Sequence, residues 1–215
     1  MKVKNIEKIT FGSHTAYVGL PDSFDSTKTY SVFIGIAGGN QEEANINFFH
    51  EVYFSNDHLS NKIIVLPISS DLQPVHEFNR EQILDFIHAL KIKFNTSDEG
   101  WMVAGTSNGG RAAFKFIAAL PSLFSGVIVA PGELKDCFII NDWTHIIVIL
   151  AYGSKDSEAW KQGVINTKNL LENKVAYLEV IELSGAAHII KKGFSINHLY
   201  TALFREYKKI DHGKN

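Results

Sequence analysis

The sequence predicts an α/β fold, a mostly parallel central sheet with helices on both faces, and three observations lead to it. Short continuous apolar runs recur along the chain, and such runs mark strands covered on both faces. Between them lie segments whose apolar residues repeat at the helical period. The two kinds alternate from Tyr30 to the end with no repeat, low-complexity tract or Pro- or Ser-rich linker, so a single domain over residues 1–215 is the expected organisation.

Taken in order, residues 5–20 read as two short strands about the turn Phe11-Gly12-Ser13-His14, with Ala16, Val18 and Leu20 alternating on the second. They would add antiparallel strands at one edge. Tyr30 to Ile36 is a buried strand that runs directly into Ala37-Gly38-Gly39-Asn40, and a helix with Phe48, Phe49, Val52 and Tyr53 inward follows. Lys62 to Ile68 is the next strand. Residues 80–94 place Ile83, Phe86, Ile87, Leu90 and Phe94 at helical spacing.

Trp101 to Ala104 and Gly126 to Ala130 are strands on either side of a helix whose stripe is Ala113, Phe116, Ile117 and Leu120, ending before Pro121. Residues 132–144 are an irregular connection, and His145 to Tyr152 is the strongest strand signal in the chain. A helix marked by Trp160, Val164 and Leu171 precedes the last strand, Ala176 to Leu183, whose polar and apolar residues alternate as on an edge strand. The final helix carries Ile196, Leu199, Tyr200, Leu203, Phe204 and Tyr207.

Composition narrows the class of function. The chain has 215 residues, 45% of them hydrophobic and 20% charged, which suits a soluble globular domain with a sizeable core. A formal net charge of −2 gives no electrostatic case for nucleic acid or an anionic membrane. Small neutral or mildly charged ligands are the natural partners. The one cysteine, Cys137, lies in an apolar run and reads as a small buried hydrophobe. The N-terminal MKVKNIEKIT has no apolar core of secretory length, and no stretch approaches the ~20 apolar residues of a membrane span. The expected location is cytoplasmic. With no Cys pair and no His-Glu-x-x-His, no zinc site is expected.

The most informative stretch is Gly105-Thr106-Ser107-Asn108-Gly109, between a buried strand and a helix. Glycines two residues to each side of Ser107 fit a turn so tight that a Cβ at either flank would clash, which holds the Ser107 hydroxyl out of the sheet. Gly105 and Gly110 also have the spacing of a phosphate loop, but Arg111 and Ala112 stand where that loop needs Lys and Ser or Thr.

This strand-turn-helix pentapeptide resembles the G-x-S-x-G nucleophile elbow of the α/β-hydrolase family, and the likeness in architecture covers essentially the whole chain. The resemblance implies that Ser107 is a nucleophile, followed in chain order by an acid and a histidine in loops at the carboxyl ends of later strands. Gly153-Ser154-Lys155-Asp156 is similar to the family's acid loop and nominates Asp156, with Glu158 as fallback; Asp156 or Ser157 would also suit as the cap of the following helix. Ser184-Gly185-Ala186-Ala187-His188 looks like its histidine loop and nominates His188 among nine histidines, with His198 the near competitor.

An oxyanion hole is implied at the N–H of Asn108 and at the loop Gly35-Ile36-Ala37-Gly38-Gly39, an imperfect match to His-Gly-x-Gly-Gly that points to Ala37, or to Gly38 by a shift. The implied activity is hydrolysis of a carboxylic ester or thioester without metal or organic cofactor. Residues 131–144 are too few for the helical cap of many relatives, so an open site is expected, as in small feruloyl- and acetyl-esterase-like enzymes. An acylated saccharide is the kind of small-molecule ester such a site suits. Trp143, Tyr152 and Trp160 are candidates to bind its sugar or aromatic face, against the alternative that they are core. An acyltransferase, a C–C hydrolase and a catalytically silent binding protein remain the other readings.

Overall fold

The computed structural model describes residues 6–53, 57–70, 73–135, 142–191 and 195–212. Strands β1 (Ile6–Phe11) and β2 (His14–Gly19) form the N-terminal hairpin, followed by β3 (Val32–Ile36), helix α1 (Glu43–Tyr53), β4 (Ile63–Ile68) and α2 (Arg80–Lys93). Then come β5 (Trp101–Gly105), α3 (Asn108–Ala119), β6 (Phe124–Val129), β7 (Ile147–Gly153), α4 (Glu158–Leu171), β8 (Tyr177–Leu183) and α5 (Asn197–His212). The strands join in one eight-stranded sheet in the order β1-β2-β4-β3-β5-β6-β7-β8. β2 runs antiparallel to both β1 and β4, and every other pairing is parallel. The expected α/β sheet with an antiparallel hairpin at one edge is therefore present.

Alternation along the strands divides the core in two. On β3, Val32, Ile34 and Ile36 face the layer containing Phe86, Phe116 and Val164 of α2, α3 and α4. Phe33 faces the opposite layer, with Phe49 of α1 and Tyr200 and Leu203 of α5. Both faces being covered, β3 and β5 are buried at every position, which explains why they read as unbroken apolar runs. β8, at the edge, is half-buried over most of its length, in keeping with its mixed sequence.

The inward stripe of α1 differs from the expected one. Phe48 is 40% exposed, and Ile46 takes its place on the inward stripe of α1 with Phe49, Val52 and Tyr53. Successive helical residues diverge by about 100°, so Phe48 and Phe49 cannot face one core together. Trp143 is core: it is 1% exposed and its ring stacks on Phe114 at 6.3 Å. Cys137 lies outside the described residues; the described parts of the connection from β6 to β7 contain neither helix nor strand.

The topology fixes where a site can form. From β3 the chain turns to β4 on one side, while β5 lies on the other, so the order reverses between β3 and β5. Helix α1 leaves on one face of the sheet and α3 on the other, opening a crevice at the carboxyl ends of these two strands. Gly38 and Gly39, after β3, and the turn at Ser107 line that crevice.

Candidate active site

The turn after β5 is as tight as its glycines suggest. Ser107 has φ 55° and ψ −123°, a conformation that costs an ordinary residue about 1–3 kcal/mol and is tolerated where the surroundings dictate it. A Cβ on Gly105 would come within 2.2 Å of the Gly109 carbonyl oxygen, and one on Gly109 within 2.1 Å of the Ile36 carbonyl oxygen. Backbone therefore crosses backbone at both flanks. The Ser107 N–H donates to the Pro131 carbonyl at 2.6 Å, tying the turn to the loop beyond β6. Although Ser107 is the N-cap of α3, its hydroxyl makes no cap hydrogen bond and is left for another partner.

That partner is His188. Its Nε2 lies 3.1 Å from Ser107 Oγ, and its Nδ1 lies 3.0 and 3.2 Å from the two carboxylate oxygens of Asp156. The Asp156 side chain is 1% exposed, against 33% for His188. A carboxylate only accepts, so Nδ1 carries the proton toward Asp156 and Nε2 is free to accept from the serine. Asp156 also accepts the Ser157 N–H at 2.7 Å, so its place at the start of α4 and its contact with the histidine are compatible. Glu158 is turned to solvent, 90% exposed and paired with Lys161, and His198 is exposed on α5.

The acid and histidine loops are laced together. Ser154 N–H donates to Leu183 O at 3.0 Å, Lys155 N–H to Ala186 O at 2.8 Å, and Gly185 N–H to Ser154 Oγ at 2.8 Å. A Cβ on Gly153 would sit 2.3 Å from Ala186 O, so the glycine that ends β7 lets the two loops touch. The small residues before His188 thus serve a close backbone approach.

A cleft of about 470 Å³ opens beside Ser107 and His188. Its walls include Phe48 and Tyr53 of α1 and Ile189 of the histidine loop, and no charged side chain lines it among the described residues. The Tyr53 hydroxyl donates to Ala130 O at 3.1 Å, and burial pushes its pKa up to about 12. Phe48 and Ile189, 40% and 65% exposed, are two of the few large apolar side chains left in solvent. Gly38 and Gly39 also line the cleft, and a Cβ on Gly38 would lie 3.4 Å from Ser107 Cβ. Ala37 is buried, with its side chain in the α1–α5 core.

Of the three aromatic candidates only Trp160 reaches the site. Its ring centroid is 4.7 Å from that of His188, and the Arg111 guanidinium lies over the same ring at 4.6 Å. Arg111 is ion-paired with Glu133 and 3.4 Å from Asn108 Oδ1, while Asn108 Nδ2 donates to Gly39 O at 3.3 Å. Tyr152 is half-buried away from the cleft, where burial and then the Glu182 carboxylate raise its pKa. Arg111, Glu133, Phe48 and Ile189 carry no motif, and sequence reasoning passed over their place here. The one available signal was Phe48, adjacent to Phe49 and so unable to share its face.

Among the described residues no three His, Cys, Asp or Glu side chains gather as a metal site would require, and no helix is long and apolar enough to cross a membrane.

No family model and no curated protein matches the chain. Solved structures do. A feruloyl esterase module from Clostridium thermocellum, in complex with sinapinate, is 18% identical with a TM-score of 0.69 over 94% of this chain and 86% of that one. A ferulic acid esterase from Anaeromyces mucronatus is 18% identical with a TM-score of 0.67, over 94% and 88%. A thermostable esterase is 12% identical with a TM-score of 0.65; it covers 98% of this chain, which spans only 63% of that protein's length. With β5, the turn at Ser107 and α3 at the centre of a mostly parallel sheet, and with these neighbours, the chain has the α/β-hydrolase fold.

Proposed function

We propose that the protein is a serine hydrolase that cleaves a carboxylic ester, with Ser107 as nucleophile, His188 as general base and acid, and Asp156 as the group that orients the imidazole. The observation that carries this reading is the hydrogen-bonded chain from Asp156 through His188 to Ser107 Oγ, at 3.0 and 3.1 Å. His188 Nε2 takes the hydroxyl proton as Oγ attacks the acyl carbonyl. The oxyanion of the tetrahedral intermediate is held by the N–H of Asn108, at the N-terminus of α3, and by an N–H of Ala37 or Gly38. Collapse breaks the bond to the alkoxy oxygen, which leaves as the alcohol with the proton from His188. Water, activated by the same imidazole, then attacks the acyl-enzyme and releases the carboxylic acid.

The apolar, uncharged cleft favours an acyl group without charge, since an ionised group there would lose its hydration without a partner. An ester of an aromatic acid, the acyl class in the names of the feruloyl esterase neighbours, is the first substrate to try, with a saccharide as its alcohol. A thioester would suit the same groups.

The reading is tested by treating the purified protein with a fluorophosphonate and locating the adduct by mass spectrometry, with Ser107→Ala and His188→Ala alongside. One adduct on Ser107, absent in the first variant and slowed at least ~100-fold in the second, is expected. No adduct, or one elsewhere, would leave a catalytically silent protein as the better account.

A further inference from the structure

One side chain behind the site is buried, strained and fully hydrogen-bonded, yet the chemistry above does not use it. Gln41 is 0% exposed and has φ 56°, a conformation that favours glycine or asparagine over glutamine. Its amide makes four hydrogen bonds. Nε2 donates to Ala37 O at 2.9 Å and to Gly39 O at 2.7 Å. Oε1 accepts from the His76 backbone N–H at 3.1 Å and lies 3.0 Å from His76 Nδ1. His76 is itself held by Lys115 of α3, whose Nζ donates to the His76 carbonyl at 2.7 Å.

We infer that Gln41 is a positioning residue that sets the oxyanion loop, an inference resting on the serine-hydrolase reading above. The Ala37 carbonyl and the Gly38 N–H belong to one trans peptide plane and point in opposite directions. By drawing the Ala37 carbonyl inward, Gln41 turns the Gly38 N–H outward, to the side on which Gly38 lines the cleft beside Ser107. Holding the Gly39 carbonyl as well, with help from Asn108 Nδ2, removes the remaining freedom of the loop. Gly38 is then the second oxyanion donor rather than Ala37. The left-handed backbone of Gln41 is what lets its side chain fold back under the loop it follows.

The test uses the wild-type chain, Gln41→Glu and Gln41→Met, with His76→Ala as a milder variant should the buried substitutions fold poorly. Active sites are counted by fluorophosphonate titration, and kcat and KM for p-nitrophenyl acetate are taken per titrated site. Glutamate replaces the shared donor with an acceptor facing two carbonyls, so kcat falls roughly 30- to 100-fold with KM within about 3-fold of wild type, as expected for a displaced donor. The Gln41→Met variant shows a similar loss, and His76→Ala a loss of about 5-fold with KM unchanged. A lower thermal midpoint with unchanged kcat per site would make Gln41 merely structural and overturn the inference, as would a rise in KM alone. If wild-type Ser107 takes up no probe, the hydrolase reading fails and the inference with it; labelled wild type with unaltered variants overturns the inference alone.

Discussion

At Ser107 the backbone conformation is dictated by its neighbours. The residue is held at φ 55° because the strand before it and the helix after it meet at glycines with no room for a side chain. Gly109 is the sharper case, since its missing Cβ is where the Ile36 and Ala37 carbonyl oxygens lie, at 2.1 and 2.3 Å. Gly109→Ala must push the turn away from the backbone of Ile36 and Ala37. The expected result is a loss of about 2–3 kcal/mol in denaturant unfolding, as overpacking of a closed site costs, with a large fall in the fluorophosphonate labelling rate of the protein that remains folded. Unchanged stability and labelling would mean that the turn and that backbone are not tightly apposed.

At the scale of elements, the site is assembled from loops that touch only because neighbouring parallel strands end together. The Ser154 and Lys155 N–H groups on the β7–α4 loop bond carbonyls at the end of β8 and in the histidine loop, which fastens the loop of Asp156 to that of His188. Helix α4 adds Trp160 against His188, and α3 adds Arg111 against Trp160. Helix α1 and the histidine loop supply the cleft's apolar walls through Phe48 and Ile189. Removing either side chain takes away apolar contact worth about 1–1.5 kcal/mol to a bulky acyl group. Phe48→Ala and Ile189→Ala should each raise KM about 5- to 10-fold for hexanoyl or cinnamoyl esters and leave acetyl esters nearly unchanged. Equal effects on all acyl groups would place the acyl chain elsewhere.

At the scale of the whole molecule, the core is mostly apolar, and among its few buried polar side chains is a lysine. Lys62, just before β4, is 8% exposed; its Nζ donates to Ser31 Oγ at 3.2 Å and lies 5.8 Å from the Phe204 ring. Burial lowers its pKa from 10.5 to about 8. Below pH 8 both folded and unfolded chains hold the proton, so the cost of burying the cation is complete. Between pH 8 and 10.5 the unfolded chain binds more protons, and stability rises with pH. Lys62→Met is expected to stabilise the protein at pH ~7 by on the order of 2 kcal/mol, an advantage that shrinks as pH is raised toward 10.5. Thermal melts of both proteins near neutral pH and near the upper end of that window measure it, and an equal difference at the two values would contradict the buried cation.

The sequence by itself determined the alternation of strands and helices, the antiparallel hairpin at the edge, and the turn around Ser107, because each depends on periodicity or on glycines a few residues apart. The family resemblance then nominated Asp156 and His188 by their order in the chain, and the fold places His188 between the Asp156 carboxylate and Ser107 Oγ at 3.0 and 3.1 Å. Which of two adjacent phenylalanines faces solvent, that Trp143 is core and Trp160 flanks the histidine, and that Gln41 holds the carbonyls of Ala37 and Gly39, only the tertiary structure decided. The physical reason is distance along the chain. A turn or a stripe is set by local backbone sterics, whereas Arg111 on Trp160, His76 on Gln41 and the gathering of Phe48 and Ile189 about one cleft join residues far apart in sequence, which meet only when the sheet brings its strand ends to one edge.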